Sequence, residues 1–304
     1  KMQLRDYRTV EELRGLLELE LAQDPLRENP STALLDSTLR IVIEGQFPIT
    51  HLDVLGYPYE NPQFVYCMET SDIAHPYLHV RCPPTSKFDL KIDRDGARLV
   101  LDRYCSEIAK HGRIVISADL ATSDVFENVL AEIFGDKVTR LANYECGLFF
   151  MIAEQRDTLL SMEISPPDGF TLQPVDVTKD VEVIHSCWKN AISLDITKAR
   201  VSCFPSICAK DSEGNLVGWA ISGRFGQISH EFVVPEHRGK GLGKALELTQ
   251  AQLLARKGRR VVKDVDTDNE FAYEGSLRSP LWTLWKEEGE TKANYFRRFQ
   301  IQSD

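Results

Sequence analysis

The chain has 304 residues, 42% of them hydrophobic and 27% charged, a globular composition whose length suits two domains of about 150 residues or one large one. Its 46 acidic and 36 basic side chains leave a formal charge of −10, which argues against general binding to a polyphosphate backbone. No apolar run approaches the roughly 20 residues that span a bilayer; the longest candidate, residues 148–153, is strand-sized.

The opening stretch is acid-rich and has no signal-peptide core, and it does not resemble an Arg- and Ser-rich presequence. The seven cysteines (Cys67, Cys82, Cys105, Cys146, Cys187, Cys203, Cys208) are odd in number and show no CxxC spacing. Reduced thiols in a cytosol-like compartment are therefore expected, with no disulfide framework and no zinc ribbon.

In chain order, Leu13, Leu16, Leu17 and Leu21 recur at helical spacing and predict a helix over 9–22. A second helix is predicted over 31–44. Three β-rich runs follow, at 49–55, 63–68 and 77–82, bounded by Pro, Asn and Gly. A helix over 96–110 leads into the strand 113–117. A further helix, 123–135, is read as starting at a Ser123 cap and stopping at Gly135. The strand 145–153 closes this half. Two prolines and a glycine in 161–170 mark a boundary, dividing the chain into an N-terminal domain (1–160), a linker (161–170) and a C-terminal domain (171–304). The second half reads β-α-β-β-β-α-β-α-β and ends in an aromatic-rich tail. Both halves combine meandering strands with helices, so the fold class is mixed α/β with a sheet that is not purely parallel.

One segment carries sharp chemical information. A strand ends at Pro235, and Arg238-Gly239-Lys240-Gly241-Leu242-Gly243 then turns tightly into a helix that has no polar cap. Three glycines in five residues leave backbone N–H groups exposed, and a helix N-terminus adds unpaired donors and about half a positive charge. This is a diphosphate site, to which Arg238, Lys240 and Lys244 add charge. A Walker loop needs GxxxxGK[ST], which is absent. A dinucleotide fold needs GxGxxG directly on the strand end, and although Asp264 lies 21 residues after Gly243, too little chain remains for a doubly wound sheet.

Arg238, Gly241 and Gly243 match the [RQ]xxGxG/A pyrophosphate loop of the GCN5-related N-acetyltransferases, which this segment resembles. Residues 188–275 resemble more narrowly the glycine N-acyltransferase and FR47-like families. The shared features are Trp188, Phe204–Pro205, Gly214, Trp219, Pro235-Glu236, Asp266 and Asn269. The resemblance implies two acyltransferase-like domains in tandem, the N-terminal one degenerate, each a twisted mixed sheet flanked by helices. It implies acyl-CoA or acetyl-CoA as co-substrate, held by Phe232, Val233, Val234, Arg238, Gly239, Lys240, Gly241, Leu242, Gly243, Lys244 and Asn269. It also implies an amine attacking the thioester directly in a ternary complex, with a backbone N–H of the 232–234 strand stabilising the oxyanion.

The resemblance further implies a glutamate base eleven residues before the loop arginine, where this chain has Gln227. Strand alternation puts Gln227, Ser229 and Glu231 on one face, which makes Glu231 the local carboxylate of choice. His230 has the better intrinsic pKa and would turn inward only with a β-bulge. Asp264 and Asp266 share a face of the next strand. The thiolate would take its proton from a position occupied by Ser276, or from Tyr273 one turn earlier. The run Arg256, Lys257, Arg259, Arg260 reads as helix-end capping, with an adenosine 3′-phosphate contact as the alternative. His185 with Cys187, and His75 with His79, lack a second pair, so no metal is expected.

The sequence thus points to an acyl-CoA-dependent N-acyltransferase acting on a small amine such as glycine or another amino acid. The alternatives are an acetyltransferase of peptide or polyamine amines and a non-catalytic acyl-CoA-binding module. The expected partners are acyl-CoA and a small-molecule amine, with no nucleic acid and no membrane. The expected compartment is cytoplasmic, or the mitochondrial matrix by resemblance.

Overall fold

The computed structural model describes residues 2–24, 29–47 and 49–302; the outer bounds of the predicted domains, 1 and 304, lie outside them. β1 (Arg5–Tyr7) leads into α1 (Val10–Gln23), which starts at a capping box. There the Thr9 hydroxyl accepts from the Glu12 amide at 3.1 Å and the Glu12 carboxylate accepts from the Thr9 amide at 2.9 Å. α2 (Pro30–Ile43) follows an Asn29 cap with proline at its first position, where a missing N–H costs nothing. The antiparallel strands β2 (His51–Tyr57), β3 (Phe64–Ser71) and β4 (Ala74–Arg81) come next.

α3 (Leu90–His111) opens at an Asp89 cap, earlier than the predicted 96. β5 (Arg113–Ala118) follows. α4 (Leu120–Phe134) is capped by Asp119, whose side chain accepts from the Thr122 amide at 2.8 Å. The predicted cap, Ser123, is instead buried inside the helix, since an aspartate one turn earlier satisfies the first amides. β6 (Val138–Phe150) begins well before the predicted 145 and ends at Phe150. Its first half is mostly exposed and polar, which hid it from hydrophobic patterning. α5 (Ala153–Ser161) occupies residues expected to end a strand and open a linker. The segment after it is anchored by Gln252, whose amide donates to the carbonyls of Leu159 and Met162 at 2.7 and 2.9 Å.

The second half comprises β7 (Phe170–Pro174), α6 (Val181–Ser186), α7 (Leu194–Cys203), β8 (Ser206–Asp211), β9 (Leu216–Ser222) and β10 (Ile228–Val233). α8 (Leu242–Arg256), β11 (Val262–Asp266) and α9 (Glu270–Arg278) follow, then the short β12 (Thr283–Leu284), β13 (Lys286–Glu287) and β14 (Glu290–Thr291), and finally β15 (Ala293–Ile301). α7 was not anticipated. The aromatic tail is the long strand β15.

Among the described residues one sheet runs through both halves in the order β1-β2-β3-β4-β5-β15-β6-β11-β10-β9-β8-β7. Each half repeats one plan: a strand, two helices, three antiparallel strands, a helix, a parallel strand, a helix and a final strand. The parallel pairs are β4–β5 and β10–β11. The final strands are exchanged. β15, from the C-terminal half, pairs with β5 of the N-terminal half, and β6 pairs with β11. The fold is therefore two acyltransferase-like units in tandem, joined by backbone hydrogen bonds.

Side chains alternate between two helix-covered faces of the sheet. On one, α3 and α4 bury Tyr66, Ile116, Phe126 and Phe299, while α5 and α8 bury Phe149, Ile228, Leu248, Leu254 and Val265. On the other, α2 covers Tyr77, Val115, Phe225 and Val262, and α6 and α7 cover Trp219 and Ile221. No helix among the described residues is long and apolar enough to cross a membrane.

Candidate active site

The glycine-rich turn lies between β10 and α8 as the strand–turn–helix pattern requires. Gly239 and Gly241 have φ of +74° and +85°, and Gly241 occupies the N-cap of α8 with no side-chain cap. An L-residue there would cost about 1–2 kcal/mol. Buried Leu242 pins the first turn of α8, leaving the helix-start amides free of intrahelical partners. Arg238 Nε donates to the Val233 carbonyl at 2.8 Å, and its guanidinium lies 5.4 Å from the Phe232 ring, so the cation is fixed beside the loop. Lys240 sits at the same rim, 3.3 Å from His237 Nδ1, while Lys244 lies in the first turn of α8.

β10 is paired with β9 along its length, but it meets β11 only at Ile228–Lys263. Beyond that point the β11-facing edge of Phe232, Val233 and Val234 has no strand partner among the described residues. An amide-bearing chain can lie along this opening and end at the positive start of α8. The residues present fit a pantetheine arm and its diphosphate.

A register shift between Ile228 and His230 gives β10 a β-bulge at Ser229, and this corrects the shared face expected for Gln227, Ser229 and Glu231. The extra residue breaks the alternation. Gln227 and His230 project on the α6–α7 side, whereas Ile228 and Glu231 project towards α8. A Cβ on Gly243 would stand 3.4 Å from Glu231 Oε1, so the carboxylate borders the glycine-rich loop itself. Glu231 is exposed to solvent on this side of the strand. Desolvation by the protein around it raises its carboxyl first and nearby Glu247 adds to the rise, while Lys263 opposes. Glu247 is itself held by Lys263 and by Trp282 Nε1, the latter at 2.7 Å.

On the opposite face, Gln227 Nε2 donates to Asp264 Oδ2 at 3.0 Å, and its Oε1 accepts from the Phe225 amide at 3.2 Å. Asp264 Oδ1 is buried with no hydrogen-bond partner among the described residues. Burial raises the Asp264 carboxyl to about 7, against the lowering effect of Gln227. His230 stacks on Trp188 at 4.8 Å with rings 6° apart, and burial, helped by Arg200, lowers its imidazole to about 4. Asp266 accepts from the Asp268 amide at 3.1 Å and lies 3.8 Å from Lys189, fixing the turn into α9. Asn269 caps α9 by accepting from the Ala272 amide at 3.3 Å.

Of the residues expected to protonate a thiolate, Ser276 is buried and donates to the Ala272 carbonyl at 2.8 Å. Tyr273 lies on the α8 face, against Phe149 at 5.4 Å, with its hydroxyl raised by burial and by Glu145 and Glu274. The 3′-phosphate alternative for the basic run is weakened: Arg259 pairs with Glu44 at 2.6 Å and Arg260 with Asp24 at 2.9 Å, tying the two halves together. His185 Nδ1 meets the Thr197 hydroxyl at 2.9 Å, and His79 Nδ1 meets Ser117 at 3.2 Å. Neither histidine belongs to a group of three or more metal-type ligands among the described residues. A cleft of about 560 Å³ lies away from the loop beneath α1 and α2, with Glu69 and Arg224 among its lining. Sequence reasoning missed Arg200, Arg224 and Glu69, because α7 has weak periodicity and their meeting requires both halves.

Residues 207–274, from β8 into α9, match the FR47-like protein family. In this region the chain is similar to the FR47-like family, and in fold it is similar to GCN5-related N-acetyltransferases. Its sequence is 28% identical over 168 residues to glycine N-acyltransferase of Bos taurus, an alignment covering 51% of this chain and 56% of that protein. The chain thus spans about half the length of that curated relative. A Drosophila protein of known structure superposes with a TM-score of 0.74 at 15% identity, covering 98% of each chain. A tandem GCN5-related protein from the clavulanic acid biosynthesis pathway gives a TM-score of 0.54 at 16% identity over 99% of each chain. An acetyltransferase-family protein of Sphaerobacter thermophilus gives 0.51 at 12% identity, covering 98% of this chain and 95% of the other. At these identities the likeness is one of fold, and the tandem arrangement extends over the full chain.

Proposed function

We propose that the protein is an acyl-CoA-dependent N-acyltransferase that transfers an acyl group to the amine of a small acceptor such as glycine or another amino acid. The observation that carries this reading is the opened β10–β11 edge running into the uncapped, glycine-turned start of α8. Arg238, Lys240, Lys244 and the loop amides would hold the diphosphate, the backbone of Phe232 to Val234 the pantetheine, and Asn269 the wall beside it. A β10 amide would stabilise the oxyanion formed when the amine attacks the thioester carbon.

In this reading the base is Asp264, oriented by Gln227, because these groups share the face of His230 and Trp188 and carry an unpartnered carboxylate oxygen. A carboxyl near 7 is matched to taking a proton from an ammonium at neutral pH. His230, near 4, is too weakly basic for that task and contributes a stacking wall. Glu231, on the phosphate-loop side, would line the cofactor's channel. The new C–N bond forms as the C–S bond breaks, the ammonium proton passes to Asp264, and the Tyr273 hydroxyl would protonate the departing thiolate.

The test is to incubate the protein with acetyl-, benzoyl- and longer acyl-CoAs and an amino-acid panel while following free thiol. Amine-dependent thiol release supports the enzyme. Gln227 at the glutamate position favours a second reading, a non-catalytic acyl-CoA-binding module, which predicts tight CoA binding and no release.

A further inference from the structure

Arg200, on α7, is 6% exposed, and its Nε is buried without a hydrogen-bond partner. Among the described residues no carboxylate lies within ion-pair distance of it. Its guanidinium lies 4.9 Å from the centre of the Trp188 ring, and Trp188 in turn stacks on His230. A second buried arginine, Arg224, stands nearby, 3.1 Å from Glu69, with its own Nε and one terminal nitrogen unpartnered. Glu69 pairs with Arg224 and acts on Arg200 only through space, so the pair of guanidinium groups is short of anions.

Burying an unpaired charge is costly unless a counter-ion meets it. Cation–π contact with Trp188 offsets part of that cost and leaves the charge without a counter-ion. Burial, with Arg224 next in weight, pulls the Arg200 guanidinium down to about 9, as befits a cation short of anions. Placed on the acceptor side of β10, such a group is suited to a planar anion that arrives with the substrate, since guanidinium binds carboxylate bidentately.

We propose that Arg200, seconded by Arg224, binds the carboxylate of the amine acceptor, so that the acceptor is an amino acid rather than a plain amine. This rests on the acyl-transfer reading above and adds the specificity group to it. The acceptor would lie along the Trp188–His230 stack, its carboxylate on Arg200 and its amine towards β10 and Asp264.

The experiment compares glycine with glycinamide as acceptors, in the wild type and in Arg200→Gln, with acetyl-CoA saturating. The wild type should prefer glycine by about 10²-fold in kcat/KM, and Arg200→Gln should bring that ratio near one, mainly by raising the KM for glycine. The KM for acetyl-CoA should stay within about two-fold, and the melting temperature should stay level or rise as an unpaired buried charge is removed. Retention of the glycine preference in Arg200→Gln overturns the proposal, as does a wild type indifferent to the carboxylate. So does a variant that loses both acceptors alike with a lowered melting temperature, which would mark Arg200 as packing. Binding of N-acetylglycine to the CoA-loaded protein, read by tryptophan fluorescence, separates this inference from the parent reading. Arg200-dependent binding in a protein that releases no thiol keeps the carboxylate site and removes the enzyme; binding indifferent to Arg200 removes the carboxylate site.

Discussion

The Gln227 side-chain amide donates to Asp264 Oδ2 at 3.0 Å, bridging β10 and β11 beside their single backbone pair, Ile228–Lys263. The amide at the glutamate position is therefore coupled to a carboxylate on the neighbouring strand. As base, Asp264 works when ionised, so kcat/KM should rise with pH through about 7. Asp264→Asn should remove that limb and lower kcat by roughly 10²–10⁴. The same group sets a stability slope. Its folded pKa lies above the ordinary aspartate value of about 4, so its contribution is present below about 4 and is lost as pH rises through 7. Thermal melts between pH 5 and 8 should show this decline in the wild type and a flatter profile in Asp264→Asn.

Replacing Gln227 by Glu sets a second carboxylate beside Asp264. Two acids that close share a proton and shift one titration upwards, so the pH–rate profile of Gln227→Glu should move to alkaline values. A silent parent that gains strong amine-dependent thiol release from this change would instead establish the binding-module reading.

Glu231 stands beside the proposed diphosphate site, with Gly243 as its neighbour. Removing its charge in Glu231→Gln should lower the Kd for CoA a few-fold, measured by calorimetry, because like charges no longer face each other. A fall in kcat of about 10² with unchanged CoA affinity would return the base to this residue.

At the loop, Arg238→Ala with Gly241→Asp should abolish measurable CoA binding while circular dichroism remains that of the folded chain. The change removes a fixed cation and brings a carboxylate among the phosphate-facing amides at φ +85°. Full CoA affinity in that folded double variant contradicts the proposed diphosphate site.

Phe299 is fully buried on β15, the strand exchanged between β5 and β6. Phe299→Ala should cost about 3–5 kcal/mol. Because the exchanged strands tie both halves into one sheet, calorimetry should show one shared transition moving down rather than one half melting first.

The amino-acid sequence by itself determined the local features. Leucines at helical spacing gave α1, bounded apolar runs gave β2 to β5, and the Arg238–Gly243 segment gave the glycine turn into α8, since caps, periodicity and left-handed glycines act within a few residues. It hid the first half of β6, whose exposed polar residues carry no two-residue signal, and α7, whose apolar residues show no helical stripe. Tertiary structure alone decided the strand exchange, the bulge that parts Gln227 from Glu231, and the meeting of Gln227 with Asp264 and of Arg200 with Arg224 and Glu69. The physical reason is one of range. Hydrogen-bonded alternation is fixed by neighbours in the chain, whereas a one-residue bulge or an unpaired buried charge depends on what distant segments supply.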